Sequence, residues 1–255
     1  MQCLCYDDPM ATIILALFLI ALTGAFLQTN IGFGFPVLAM IFLPALFPFS
    51  TAVALCQVIA MASTTYLTII YFKHIDWKTL LPLLVVSLAF GILVTLVSIE
   101  MDQKSLQIIL GTALIAISIF TVRYSERITV HPTVATGAIM GMVAGTGNGL
   151  FGIGGPPVAI YLLSAQKSKE SYLATIQCYF LLSNISTIAI RTGRGALVWS
   201  DMPLILAGWS GIAVGTFLGL KLFKRIPHQV LRKLVYGFVG ISGAVIIIQQ
   251  VWLAA

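Results

Sequence analysis

Gly32-Phe33-Gly34-Phe35-Pro36 interrupts one long apolar stretch of the chain, and Gly152-Ile153-Gly154-Gly155-Pro156 interrupts another. The spacing that separates Gly32 from Gly152 also aligns Ala39 with Ala159, Leu43 with Leu163, Ala54 with Ala174, Gln57 with Gln177, Ser63 with Ser183 and Ile70 with Ile190. An apolar chain yields some identities by chance, but matched glycines, prolines and glutamines are scarcer. The pattern reads as an internal duplication with a helix break at the same place in each half. Paired interrupted helices in two halves of a membrane chain point to the binding region of a carrier.

Hydrophobic residues make up 59% of the 255 and charged residues 9%. A surface of that composition is solvated by lipid, not water. Residues 9–72 carry no charge, enough for three spans at about 20 residues each. Further uncharged runs cover 79–99, 105–122, 171–190, 202–220 and 234–255, and 128–166 holds only His131. The expected fold is an all-α polytopic membrane protein of two inverted repeats, 1–127 and 128–255, with five apolar segments each. Asp7 and Asp8 precede the first segment where a signal peptide would carry basic residues, so no cleaved leader is expected. Cys3, Cys5, Cys56 and Cys178 have no metal-ligand spacing and read as unpaired. The net charge of +6, which in a soluble chain would suggest nucleic acid, here reflects orientation in the bilayer.

The expected segments are 10–28, 35–47, 50–72, 79–99 and 105–122, then 132–148, 156–166, 171–190, 202–221 and 231–252. Alternating the connections places the termini and the 100–104 and 191–201 loops on one side, A. Only Lys104, Arg191 and Arg194 of the 14 basic residues then lie there, and the positive-inside rule makes the opposite side, B, cytoplasmic. Both termini are expected outside. A layout in which 35–47 and 156–166 dip in and out on one side removes nearly all of that bias and is rejected. Segment 156–166 is about 16 Å long as a helix, roughly half a hydrocarbon core. The favoured arrangement is therefore two hairpins whose tips approach each other from opposite faces.

Each tip combines glycine, which admits positive φ and close approach, with proline at a helix start. The new helix start presents free N–H groups and a positive dipole end, an anion site at membrane depth. Such irregular backbone is tolerated only where it lines a cavity or is buried in protein. The candidate substrate-binding residues are Gln28, Asn30, Gly32 and Gly34 at the first tip and Asn148, Gly152, Gly154 and Gly155 at the second. Gln57 and Gln177 join them from the third segment of each half, because a side-chain amide in lipid must be hydrogen-bonded and face inward. Asn184 follows nearly two turns after Gln177. Arg191 either snorkels to the outer headgroups or forms an electropositive vestibule. Glycines recurring at every fourth position (Gly137, Gly141, Gly145 and Gly211, Gly215, Gly219) are read as close-packing stripes.

Gly147-Asn148-Gly149-Leu150-Phe151-Gly152 has the form of a dinucleotide fingerprint, but its flanks are membrane segments rather than a βαβ unit. No Walker A, HExxH or Ser-His-Asp arrangement is present, and no acidic residue falls in the middle of a segment. The reading is a non-enzyme without cofactor, metal or nucleic-acid partner. Its expected partners are a small anion and the bilayer, with a homo-oligomer left open.

Two G-x-G-x-P-type motifs, polar third segments, the Ile75-Asp76-Trp77 loop and above all the stretch Gly149–Pro157 resemble the sulfite exporter TauE/SafE family, over almost the whole chain. The resemblance implies transport of sulfite, organosulfonates or related small anions across the plasma membrane, usually outward. Phe35 departs from the fuller motif, standing where the second half has Gly155. The competing reading from another class is a non-transporting membrane scaffold or assembly factor.

Overall fold

The computed structural model describes residues 9–124, 131–166, 168–225, 227 and 230. The expected segment 231–252, both termini with Cys3 and Cys5, and several side-B basic residues (Arg127, Lys167, Arg232, Lys233) lie outside the described residues. Nine α-helices are described: α1 Pro9–Ile31, α2 Phe35–Leu46, α3 Phe49–Ile70, α4 Trp77–Glu100, α5 Gln103–Tyr124, α6 Val134–Phe151, α7 Gly155–Ala165, α8 Lys169–Gly193 and α9 Met202–Phe223. Six spans among them are long and apolar enough to cross a bilayer. Helices α2 and α7, of 12 and 11 residues, are about half that length.

The helix starts follow local chemistry. Asp76 caps α4 by accepting from the backbone N–H of Lys78 and Thr79 at 3.1 and 3.3 Å. Thr133 and Thr136 form a reciprocal cap on α6, and Ser168 caps α8. Prolines open α2, α7 and α9, where a missing N–H leaves no bond unmade.

The stripes of small residues decide the packing. Gly211, Gly215 and Gly219 of α9 lie against Phe18, Leu22 and Thr29 of α1, with room for no side chain. Gly141, Gly145 and Gly149 of α6 lie in the same way against Leu83, Ser87 and Gly91 of α4. Backbone-to-backbone approach of this kind is how membrane helices associate without a hydrophobic driving force. The first helix of each half thus runs alongside, and parallel to, the fourth helix of the other half. Between these two pairs lie α3 and α8, the most buried long helices.

Contacts at the two ends fix the directions. Arg194, after α8, pairs with Glu100 at the end of α4 at 3.1 Å. At the opposite end Asp76 accepts from Gln166, and Lys169 donates to the carbonyls of Phe223 and Lys224. Helix α7 folds back along α6, since the Tyr161 hydroxyl near its end reaches the Thr133 carbonyl where α6 begins. Phe35, opening α2, lies against Gly24, within α1. Helices α1–α2 and α6–α7 are therefore two hairpins entering from opposite ends of the bundle. Each has a long outer arm and a short returning arm that starts partway through.

Candidate functional site

The first hairpin turns at Gly32 and Gly34, with φ of 97° and 151°, and the second at Gly152, with φ of 71°. These are the positions where glycine is required by conformation. At Gly152 the cap is left-handed: its N–H bonds the Asn148 carbonyl at 2.9 Å, and Ile153 N–H bonds Gly147 at 3.2 Å. At Gly32 space is short as well, because a Cβ would stand 2.8 Å from the Tyr172 hydroxyl.

The tips touch. A Cβ on Gly155 would lie 2.7 Å from the Phe33 ring, so the phenyl of one tip rests on the backbone of the other. This accounts for the departure at Phe35. In the first hairpin the bulky residue opens α2 and Gly24 of α1 makes the room; in the second, Gly155 opens α7 bare because Phe33 occupies the space.

Polar side chains brace this junction reciprocally. Gln177 of α8 donates to the Gly32 carbonyl at 2.8 Å, and Gln57 of α3 donates to the Asn148 carbonyl at 3.5 Å. Each glutamine reaches the hairpin of the other half. Gln28 donates to Ser63 at 3.1 Å and to the Gln177 amide oxygen at 3.3 Å, while Asn148 donates to Ser183 at 3.0 Å. Gln57 also donates to Thr187 at 2.9 Å. Gln28, Gln57, Asn148 and Gln177 are all essentially inaccessible.

The amide nitrogens expected to face an anion are thus engaged with protein acceptors. What lacks a partner is mostly oxygen: Gln28 Oε1, Gln57 Oε1, Asn148 Oδ1 and Asn184 Oδ1 are buried without a hydrogen bond. Asn184 is buried on α8 beside Ser183. Asn30 is turned elsewhere: its amide donates to the Phe26 carbonyl at 2.7 Å and lies against Gly219 of α9, away from the junction.

Arg191 differs most from expectation. It is 1% exposed, so it neither snorkels to headgroups nor lines an open vestibule. Its guanidinium donates to the Gly149 and Leu150 carbonyls at 2.6 and 3.4 Å, to Ser98 at 3.1 Å and to Ser50 at 3.2 Å. The last carbonyls of a helix lack intrahelical donors and carry its negative dipole end, so a cation belongs there. Among the described residues it is the one buried charged side chain, and its Nε has no partner. Arg194, three residues on, is the exposed partner of Glu100.

Sequence reasoning missed Tyr172, whose hydroxyl donates to the Ile31 carbonyl at 2.7 Å and so does for α1 what Arg191 does for α6. It also missed the Tyr179–Ser87 hydroxyl pair at 2.5 Å. Polar residues in the third segment of each half were a usable signal for Tyr172 and Tyr179.

Outside the bilayer, Asp76 joins the base of the second hairpin to α4 through Gln166 at 3.0 Å. Partial burial pushes its carboxyl upward, but hydrogen bonds from Thr79, Gln166 and the backbone of Thr79 and Lys78 outweigh this and hold it below the usual range.

A family model described as sulfite exporter TauE/SafE matches residues 17–246. No curated protein and no solved structure matches the chain. Covered over nearly its whole length by that family, with six membrane-length helices around two half-length ones, the chain belongs to the sulfite exporter TauE/SafE family and is a multi-pass membrane transporter.

Proposed function

We propose that the chain carries a small anion, sulfite or an organosulfonate or a close relative, outward across the plasma membrane. In this reading it consists of two inverted repeats, 1–127 and 128–255, with the termini outside, and the anion binds where the hairpin tips meet. The observation that carries the proposal is the junction itself. The starts of α2 and α7 come together within the bundle from opposite ends, with Phe33 on Gly155, and the described residues include no buried carboxylate. Helix starts direct unpaired N–H groups and positive dipole ends at a ligand, which suits an anion.

Backbone at Gly32, Gly34, Gly152, Gly154 and Gly155 makes the closest approach in this scheme. Gln28, Gln57, Asn148 and Gln177 exchange their protein partners for the ligand as the tips part, Asn184 joins them from α8, and Arg191 supplies a fixed positive charge. Asn30 keeps a supporting place on α1. Outward movement of a monovalent anion is favoured by an inside-negative potential, by about 2.3 kcal/mol per 100 mV, and requires no proton relay.

Proteoliposomes carrying the folded protein are expected to show counterflow of radiolabelled sulfite or a sulfonate; absence of flux for every small oxyanion and sulfonate tried removes the proposal. Gln57→Ala and Gln177→Ala are expected to weaken the ligand roughly ten- to a hundredfold. Unchanged affinity with lowered melting in both variants takes the two amides out of the binding site. For sidedness, a chain without its native cysteines should be labelled from outside at Val198→Cys and protected at Lys224→Cys.

A further inference from the structure

Away from the tip junction, α3 and α9 part to leave a crevice of about 370 Å³ on the lipid-facing side of the bundle. Ala62, Ser63 and Tyr66 form one wall, and Trp209, Ala213, Thr216 and Phe217 line the other, above Ile212. Tyr66, Trp209 and Phe217 are exposed at its mouth, whereas Ser63 and Thr216 are buried at its inner end. No ionisable group other than the Tyr66 phenol lines it.

Thr216 makes the crevice more than an apolar gap. Buried threonines in membrane helices usually satisfy their hydroxyls on a carbonyl one turn back. Thr29, Thr64 and Thr187 do so here, at 2.8, 3.3 and 3.2 Å. Thr216, 3% exposed, has no partner for its Oγ1, and Thr68 is the other such threonine. A hydroxyl removed from water and left unpaired is unfavourable unless a ligand bonds it.

The corresponding face of the other half is filled. Pairing of Gly211 and Gly215 with α1, against Leu83 and Ser87 with α6, makes Leu88 the counterpart of Thr216. The duplication makes Leu182 the counterpart of Ala62. Leu88 and Leu182 both pack against the core. Two leucines thus stand where the crevice has a methyl and a free hydroxyl.

We propose that this crevice binds one neutral, single-chain amphiphile from the bilayer, its chain among Tyr66, Trp209 and Phe217 and its hydrogen-bonding head on Thr216 and Ser63. The volume is at the low end for small-molecule sites, room for one chain and not for a two-chain lipid. The absence of any lining Lys, Arg, Asp or Glu excludes a charged head. The occupant acts on the tips, because Ser63 accepts from Gln28, Gln28 donates to Gln177, and Gln177 holds the Gly32 carbonyl. This second part rests on the transport reading; the first does not.

Trp209, whose indole N–H is fixed on the Val58 carbonyl at 3.0 Å, is a built-in reporter. Purified full-length protein in detergent is titrated with bromine-labelled dodecanol, a fluorescence quencher. Saturable quenching is expected that disappears in Trp209→Phe. Grafting the other half's residues, Ala62→Leu with Thr216→Leu, should abolish saturation. Thr216→Val, which keeps the shape, should weaken binding about three- to tenfold and decides the matter if the grafted protein fails to fold. Quenching linear in dodecanol, or equal in wild type and Thr216→Val, overturns the site. In proteoliposomes dodecanol should change anion exchange about fivefold or more in wild type and not in the grafted protein. Saturable binding with unchanged exchange overturns the coupling alone, whereas no exchange by any variant indicts the transport reading and leaves the binding result standing.

Discussion

Both hairpins end a long helix inside the bundle, yet they satisfy the orphaned carbonyls at that end by different chemistry. The second relies on a cation: Arg191 joins the last turn of α6 to α3 and α4 through Ser50 and Ser98. The first relies on neutral groups, the Tyr172 phenol on Ile31 and the Gln177 amide on Gly32. At the position matching Arg191 the first half has Tyr71, which packs on His74 and Phe223. Two copies of one element can therefore keep the same backbone requirement while exchanging charge for neutral polarity. The second hairpin is thus anchored by a buried charge on four partners and the first by two neutral bonds.

The largest test of that contrast is Arg191→Ala. It leaves the Leu150 carbonyl unpaired and the Gly149 carbonyl with only the longer bonds from Ser98 and Thr95, at 3.3 and 3.4 Å, and a loss on the order of 3 kcal/mol is expected in melting measured in detergent. Tyr71→Ala should lose its aromatic edge contacts and part of its packing on the core, about 1–2 kcal/mol. Equal losses would break the comparison, and good retention of stability by Arg191→Lys would show that charge matters more than the guanidinium fork.

Next in size is Gly32→Ala. An L-residue at positive φ costs about 1–2 kcal/mol, and here the new methyl also meets the Tyr172 ring. Gly152→Ala carries the φ penalty with a contact of 3.2 Å to Gln57, so it should be the milder variant. A reversed order would mean that the first tip yields more readily than its packing implies.

How much of this was legible beforehand depends on the kind of contact. Glycine and proline act within a few residues, so the breaks and the half-length returning arms could be read directly. The packing stripes were equally plain, since glycine at every fourth position marks one helix face. The partners of that face were not, and neither were those of Gln57, Gln177 and Arg191. These helices are apolar all round, so periodicity does not say which face turns inward. The bonds themselves also join residues far apart in sequence, as Gln177 and Gly32 are. The amides were correctly expected to face inward. That their nitrogens hold carbonyls of the opposite hairpin depends on helix rotation, which composition does not encode.

Smaller effects sharpen the contrast further. Gln177→Leu should lose about 1–2 kcal/mol, by leaving the Gly32 carbonyl unpaired. Gln57→Leu should lose less, because the Asn148 carbonyl keeps the Gly152 N–H at 2.9 Å and Thr187, its other acceptor, still donates to the Ser183 carbonyl. Smallest is the acid response of the second hairpin's base. Asp76 has its carboxyl held low by hydrogen bonds, so its contribution is complete above an unfolded value of about 3.9 and is lost as pH falls through the lower folded value. Melting should therefore be insensitive to Asp76 between neutral pH and about 5, and Asp76→Asn should flatten only the acid limb.

The crossed pairing of outer helices also sets an order of assembly. Helix α6 lies on α4, made shortly before it, so the second hairpin meets its partner as soon as it leaves the ribosome. Helix α1 lies on α9, and Thr29 must wait for Gly219, a delay of roughly 10–40 s at 5–20 residues per second. For most of that interval the glycine turn also lacks Tyr172 and Gln177, which hold the Ile31 and Gly32 carbonyls, and Gln28 has only Ser63. The first hairpin is thus made well before it is completed, and a nascent chain arrested before α9 should remain open to membrane proteases there.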